Sequence, residues 1–330
     1  MNRRDFICLG GAAAALSASA SASASASQRT SSATSAFDKE YFINWDRAIL
    51  NIAWPQIKET PRFRVIGDTH FNYFDERDKE FAANYARMSG ISGKDINLPT
   101  QVSHKYFEEA LSTAKKDGVD AILLVGDILS FPTLANVEYA KKKLDECGLP
   151  WIYIAGNHDW HFEGLPGSST QLRETWVEKR LMPLYKDGDD PMMFSRVVKG
   201  VRIVAIDNST YLLSRKQVDF WKSEAAKGEP VLLMMHIPLY VKTGPKGCCA
   251  SPHWGAALDW AWEIERRPRW IEKATPETFE FREAVLSTPN LVGVFTGHAH
   301  QAFSMRENGQ NMFSVRSCQR ARTYLDVAIG

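Results

Sequence analysis

Trp151-Ile152-Tyr153-Ile154-Ala155-Gly156-Asn157-His158-Asp159 is the stretch whose reading decides the fold. Its first five residues are mostly β-branched or aromatic and predict a short buried strand. A glycine and three polar residues able to bind a metal or move a proton follow at once. In open α/β sheets, ligands bind outside the carboxyl ends of strands, where loops leave the core. A strand that breaks into Gly-Asn-His-Asp therefore predicts a functional edge. Gly156 is read as the residue that lets the crowded loop turn without a Cβ. Asp159 has two readings, orienting His158 or capping the next turn.

The arrangement recurs along the chain. Residues 62–66 run into Gly67-Asp68-Thr69-His70, 121–125 into Gly126-Asp127, and 201–206 into Asp207-Asn208. Residues 231–235 end in His236, and 291–296 in Gly297-His298-Ala299-His300. Residues 312–315 and 324–329 read as closing strands with no chemistry at their ends. Helical patterns lie between, at 103–117, 134–147, 171–181, 215–227 and 276–286. Alternating strands and helices predict an α/β architecture, and the hairpin-like C-terminal strands make its sheets mixed. Phe37, Tyr41, Phe42, Trp45, Ile49 and Ile52 fall at roughly helical intervals before Pro55, so 37–57 is predicted as an N-terminal helix.

Residues 37–330 carry no repeat or internal linker and read as a single domain. Two connections exceed a simple crossover. One is about 71–100; the other, about 240–275, holds Trp254, Trp260, Trp262 and Trp270. Long loops at a functional edge commonly serve as lids or binding loops.

The 330 residues suffice for a sizeable core, and 44% apolar with 24% charged residues is ordinary globular composition. Forty Lys and Arg against 39 Asp and Glu leave no basic excess to draw a nucleic-acid polymer or an anionic membrane. Residues 1–26 read as a cleaved signal: Arg3-Arg4, a weakly apolar run, then a Ser-Ala alternation ending in Ala24-Ser25-Ala26. Asn2-Arg3-Arg4-Asp5-Phe6-Ile7 resembles a twin-arginine export signal, which places the expected product in the periplasm or outside the cell. The Ser/Thr-rich residues 27–36 are expected to be a disordered leader. No second apolar run is long enough to span a membrane. Cys147, Cys248, Cys249 and Cys318 lack the C-x-x-C spacing of a structural zinc site. An exported protein forms disulfides, but their connectivity is not legible here.

The strand-end residues are Asp68, His70, Asp127, Asn157, His158, His236, His298 and His300, which include five of the eight histidines. One such histidine is ordinarily a surface or capping residue, and one Gly-Asp is ordinarily a turn. Independent turns do not place three oxygen ligands and four imidazoles at one edge, so the joint pattern points to metal. Imidazole with carboxylate suits Zn, Fe or Mn. Two such ions about 3.5–4 Å apart need a bridging carboxylate and hold a hydroxide that attacks phosphorus in line.

Asp68-Thr69-His70, Gly126-Asp127, Gly156-Asn157-His158-Asp159, His236 and Gly297-His298-Ala299-His300 together resemble the calcineurin-like metallophosphoesterase superfamily. The blocks stand in that family's order across residues 65–300. The resemblance implies a four-layer αββα sandwich of two mixed β-sheets flanked by helices, with the metals at the C-terminal ends of strands. It implies one metal on Asp68, His70 and His300, a second on Asn157, His236 and His298, and Asp127 bridging both. His158 matches the residue assigned to protonating the leaving group, a role suited to imidazole near neutral pH.

Departures narrow the resemblance. The protein Ser/Thr phosphatases carry Gly-Asp-x-x-Asp-Arg-Gly, whereas this chain has Gly126-Asp127-Ile128-Leu129-Ser130-Phe131-Pro132. Purple acid phosphatases place Tyr where Ser130 stands and do not use His at the His70 position. Asp68 and Asp127 lie farther apart than in the compact cyclic-nucleotide phosphodiesterases.

The expected activity is hydrolysis of a small phosphate mono- or diester. One alternative is a phosphodiesterase specific for nucleotides or lipid head groups, and a different class is a metal-scaffold binding protein without hydrolysis. Secondary candidates are His161, His253, the Asp207-Asn208 pair and Arg266-Arg267-Pro268-Arg269. Each has a plainer reading as a loop, cap or solvated charge.

Overall fold

A computed structural model describes residues 39–91, 100–162, 164–186, 188–241, 274–318 and 324–330, without the side chains of 87–91 and 100–102. The expected signal (1–26), the expected leader (27–36) and most of the 240–275 insertion lie outside these residues. So do Cys248, Cys249, His253, Arg266, Arg267, Arg269 and the insertion's four tryptophans. In chain order the elements are β1 (Tyr41–Asn44), β2 (Ile49–Ile52), β3 (Arg62–Ile66), α1 (Ala82–Ile91) and α2 (Thr100–Ala114). There follow β4 (Ala121–Leu124), α3 (Leu134–Cys147), β5 (Trp151–Tyr153), α4 (Ser169–Trp176), β6 (Met193–Val198) and β7 (Val201–Ile206). The rest are α5 (Arg215–Ala225), β8 (Val231–Met234), α6 (Pro276–Leu286), β9 (Leu291–Thr296), β10 (Phe303–Glu307), β11 (Gln310–Ser314) and β12 (Leu325–Ile329).

The strands form two six-stranded mixed sheets, ordered β1-β2-β12-β3-β4-β5 and β10-β11-β9-β8-β7-β6. With the helices that flank them they make an α/β, four-layer αββα sandwich. Within the first sheet β3, β4 and β5 run parallel; within the second, β7, β8 and β9 do. β4, β8 and β9 are buried along their whole length, as parallel strands covered on both faces must be. That is why their sequences are continuous apolar runs.

β3 carries a buried charge. Arg64 donates to both carboxylate oxygens of Asp326 at 2.7 Å, to Asp117 at 2.7 Å and to the Ala110 carbonyl at 2.6 Å. These bonds replace the water that the guanidinium gives up and tie α2 to β3 and β12.

The predicted N-terminal helix is absent; β1 and β2 form an antiparallel hairpin there. Leu50 and Ile52 point inward and Ile49 and Asn51 outward, a period of two rather than 3.6. The reason is tertiary. β12 offers its edge, and β2 pairs with it in parallel register, Asp326 opposite Ile49. A short run of mixed apolar residues satisfies either periodicity, and the open edge selects the strand. β1 becomes the outer strand, with Phe42 63% exposed.

The connection after β3 is structured where described, with a 3-10 turn at Glu76–Phe81 and then α1. Buried Asp78 docks it, accepting the Leu134 N–H at the start of α3 at 2.8 Å and an Arg180 N–H at 2.9 Å. The helix predicted at 171–181 is α4 followed by a π-helical turn, Val177–Leu181. Cys147, half-buried, is a free thiol, and Cys318 is buried. Among the described residues no helix is long and apolar enough to cross a membrane.

Candidate metal centre

Each strand-end block predicted from sequence leaves the carboxyl end of a parallel strand. Asp68 and His70 follow β3, Asp127 follows β4, and Asn157, His158 and Asp159 follow β5. His236 follows β8, and His298 and His300 follow β9. The first three strands belong to one sheet and the last two to the other, so the two sheets meet at these residues.

Two groups of side chains result, each with ligand atoms within 4.8 Å of one another: Asp68, His70, Asp127 and His300, and Asp127, His236 and His298. In the first, the Nε2 atoms of His70 and His300 are 3.0 Å apart. Asp68 Oδ1 lies 3.4 Å from His300 Nε2, and Asp127 Oδ2 lies 3.8 Å from His70 Nε2. In the second, His236 Nε2 is 3.2 Å from the same Asp127 oxygen. The Asn157 amide oxygen joins this group, 3.0 Å from His236 Nε2 and 2.9 Å from His298 Nδ1. Two atoms sharing one cation at about 2.1 Å lie about 3.0–3.4 Å apart, so the spacings and the donor set fit metal.

His158 sits beside both groups. Its backbone N–H donates to Asp127 Oδ1 at 2.8 Å, and its ring stands edge-on to His70 with centroids 4.9 Å apart. His158 and His300 are half-buried, while Asp68, His70, Asp127, Asn157, His236 and His298 are buried.

The backbone is bent to achieve this. Asp68, His70, Asp127, His298 and His300 all have left-handed φ, between 48° and 66°. Asp and His tolerate that region better than most residues, yet it still carries strain that surrounding bonds must hold. Asp68 N–H donates to the Gly126 carbonyl at 3.0 Å, His70 N–H to the Asp127 carbonyl at 3.0 Å, and His298 N–H to the Asp68 carboxylate at 3.0 Å. The Ser130 hydroxyl, at the position where the purple acid phosphatase pattern has Tyr, donates to the His70 carbonyl at 2.9 Å.

Asp159 is fully buried and accepts three backbone N–H groups: Asp127 at 2.9 Å, Leu129 at 2.7 Å and Gly156 at 2.7 Å. It thus clamps the β4 and β5 loops together, a role outside both sequence readings. The Asp207-Asn208 pair supports the site as well. Asn208 Oδ1 accepts the N–H groups of His236 and Ile237 at 3.1 and 3.0 Å, and its amide donates to the Ile237 carbonyl at 2.7 Å. Asp207 pairs with buried Arg173 at 2.6 Å and accepts from Ser209, whose hydroxyl accepts the Trp160 indole N–H at 2.9 Å. His161 is buried against Trp160. Tyr211, which sequence reading passed over, puts its hydroxyl 2.8 Å from His298 Nε2.

The electrostatics are those of a site built for positive charge. Burial would raise the Asp127 carboxyl, but the imidazoles of His236, His158 and His70 outweigh it and hold the group well below the usual range. Burial pushes Asp68 well above its usual value, against the pull of His236 and with a further push from Asp127. Asp159 is raised to about 7 by burial and then by the Asp127 charge. Burial disfavours a proton on His236, yet the Asp127 carboxylate overrides it and raises His236 to about 10. Protons thus fill the role a cation would fill, so metal and proton compete for these atoms.

A calcineurin-like phosphoesterase family model matches residues 61–302. A probable cyclic nucleotide phosphodiesterase of Psychrobacter sp. (strain PRwf-1) is 26% identical over 230 residues, 66% of this chain. The match spans 58% of that protein's length. A dimetal phosphatase from Danio rerio superposes with a TM-score of 0.50 at 12% identity, over 80% of this chain and 91% of that one. A purple acid phosphatase from yellow lupin (Lupinus luteus) seeds gives a TM-score of 0.49 at 12% identity, over 82% and 46%. At 12% identity the likeness to the Danio rerio protein is one of fold.

Proposed function

This chain belongs to the calcineurin-like phosphoesterase family, and from that premise we propose that it hydrolyses small phosphate mono- or diesters at a centre of two metal ions. The observation that carries the reading is Asp127, whose Oδ2 lies within 4 Å of an imidazole from each ligand group. Asp68, His70 and His300 would hold one ion and Asn157, His236 and His298 the other, with Asp127 common to both. Mn, Fe and Zn all suit such nitrogen and oxygen donors. When bound, the ions supply an acidified water as nucleophile and neutralise charge growing on the phosphoryl oxygens.

The remaining work falls to the chain itself. The two half-buried histidines, His158 and His300, mark the side open to substrate. The His158 backbone is fixed by its N–H bond to Asp127, and its ring stands edge-on to His70 at that opening, outside the two proposed sets of ligands. It donates the proton that the departing alkoxide needs, a contribution of about 10²–10⁴-fold for a positioned acid. Asp68, buried and bonded to the His298 N–H, keeps the β3 and β9 loops in register.

The test is turnover by purified, Mn²⁺- or Zn²⁺-loaded protein of an aryl phosphomonoester and a bis-aryl phosphodiester. Cleavage of neither overturns the reading. Unchanged turnover in His158→Asn removes His158 as the acid.

The likeness to the probable cyclic nucleotide phosphodiesterase of Psychrobacter favours a second reading, a phosphodiesterase acting on nucleotides. Screening cyclic nucleotides, sugar phosphates and glycerophosphodiesters against one preparation separates the two. A binding protein without hydrolysis ranks below both, because every ligand position of the family pattern is filled in this sequence.

A further inference from the structure

The imidazoles proposed to hold the second ion are each engaged on their far side. His236 Nδ1 lies 2.8 Å from the Val125 carbonyl, which can only accept, so the Nδ1–H donates and Nε2 is turned toward Asn157 and Asp127. His298 is arranged the other way round. Its Nδ1 faces the Asn157 amide oxygen at 2.9 Å, and its Nε2 meets the Tyr211 hydroxyl at 2.8 Å.

We infer that Tyr211 is a positioning residue of the second metal site, holding His298 so that Nδ1, and not Nε2, is the ligand atom. The inference rests on the metal-centre reading above and deepens it. The geometry that carries it is threefold. Tyr211 is buried, 1% exposed, with its ring edge-on to the imidazole at 5.5 Å and 83°. Its φ is +67°, a conformation that a bulky aromatic residue adopts only where surroundings enforce it. Its N–H donates to the Asn208 carbonyl at 2.7 Å, and the Asn208 side chain grips the backbone of His236 and Ile237. One turn after β7 therefore supports two histidines, His236 through its backbone and His298 through its far nitrogen. With Nδ1 presenting its lone pair inward, Nε2–H donates to the Tyr211 oxygen, which fixes both tautomer and ring rotation.

The test is a Mn²⁺ titration of metal-stripped wild type and Tyr211→Phe, with free Mn²⁺ read by electron paramagnetic resonance. Wild type is expected to take up two equivalents. Tyr211→Phe is expected to keep one binding step and weaken the other about 10–100-fold, the usual effect of losing an outer partner. A titration within twofold of wild type overturns the inference, and so does equal weakening of both steps, which a merely structural role would give. Wild type that takes up no Mn²⁺ overturns the metal-centre reading itself and is seen in the control alone. A second measurement needs no variant. In ¹¹³Cd-loaded, ¹⁵N-histidine-labelled wild type, cadmium should couple to Nδ1 of His298 with Nε2 protonated; coupling through Nε2 overturns the inference.

Discussion

A Cβ placed on Gly156 would lie 2.2 Å from Oδ1 of Asp127 and 2.3 Å from its backbone nitrogen. Gly156 does not have the left-handed φ of Gly126, so its role is space rather than conformation. Gly156→Ala must push Asp127 out of both ligand groups at once. We expect a stability loss of about 1–3 kcal/mol from overpacking, read by urea unfolding, together with weakened Mn²⁺ uptake. Normal metal binding in this variant would contradict the close approach.

Asp159 makes a separable prediction. Asn in its place turns an amide N–H₂ toward backbone donors that now find a carboxylate oxygen. A buried donor left without its acceptor costs about 1–3 kcal/mol. Denaturant midpoints of Asp159→Asn and wild type, both stripped of metal, check this without reference to catalysis. Equal midpoints would remove Asp159 from the frame of the site.

If Asp127 is shared, its loss and that of an unshared ligand should differ in kind. Asp127→Asn is expected to weaken both Mn²⁺ binding steps, and His300→Ala only one. Each effect should exceed the roughly 10–100-fold cost of an outer partner. Calorimetric titration resolves the steps, and matching profiles for the two variants would argue against a shared carboxylate.

Away from the proposed ligands, His104 sets a pH dependence. It packs against Phe71, Tyr73 and Tyr139, and burial lowers it from 6.5 to about 4. Among the described residues its buried Nε2 has no hydrogen-bond partner. Between those two pH values the unfolded chain holds a proton that the folded chain refuses. Stability is therefore undiminished above about pH 6.5 and falls as pH drops toward 4, by about 2 kcal/mol once solvent screening of the imidazole is allowed for. His104→Phe should flatten that slope and melt higher than wild type at pH 5; a parallel pH profile would rule the histidine out.

Export is tested at the first turn of the sequence. Replacing Arg3 and Arg4 by Lys should leave unprocessed precursor in the cytoplasm, followed by fractionation and immunoblotting. Normal processing of that variant would exclude the twin-arginine route we propose.

The sequence was most legible where parallel strands end. Residues 121–125 and 291–296 are read correctly because a strand buried on both faces is almost wholly apolar and stops at its first polar residues. Gly-Asp and Gly-His then mark both the boundary and the chemistry. The N-terminal hairpin was misread because its alternation, Ile49 and Asn51 against Leu50 and Ile52, is short and its partner β12 is almost three hundred residues away in the chain. The edge strands β6 and β10 went unpredicted although Lys199-Gly200 and Asn308-Gly309, all at positive φ, carry recognisable hairpin chemistry. Tyr211 and Asp159 were opaque for another reason. Their partners, His298, Asp127 and Leu129, are distant neighbours chosen by packing, and no periodicity records that choice.

The division of the proposed ligands between sheets has a consequence for how the protein matures. Asp68, His70, Asp127 and Asn157 come from one sheet and His236, His298 and His300 from the other, across almost the whole chain. Closing so long a loop is slow and comes late. Neither sheet alone brings together the residues proposed to hold the pair of ions, so on that proposal a nascent or half-assembled chain would be chemically silent. Reactivity becomes a certificate of completed folding, issued only when the first and last thirds of the polypeptide have met.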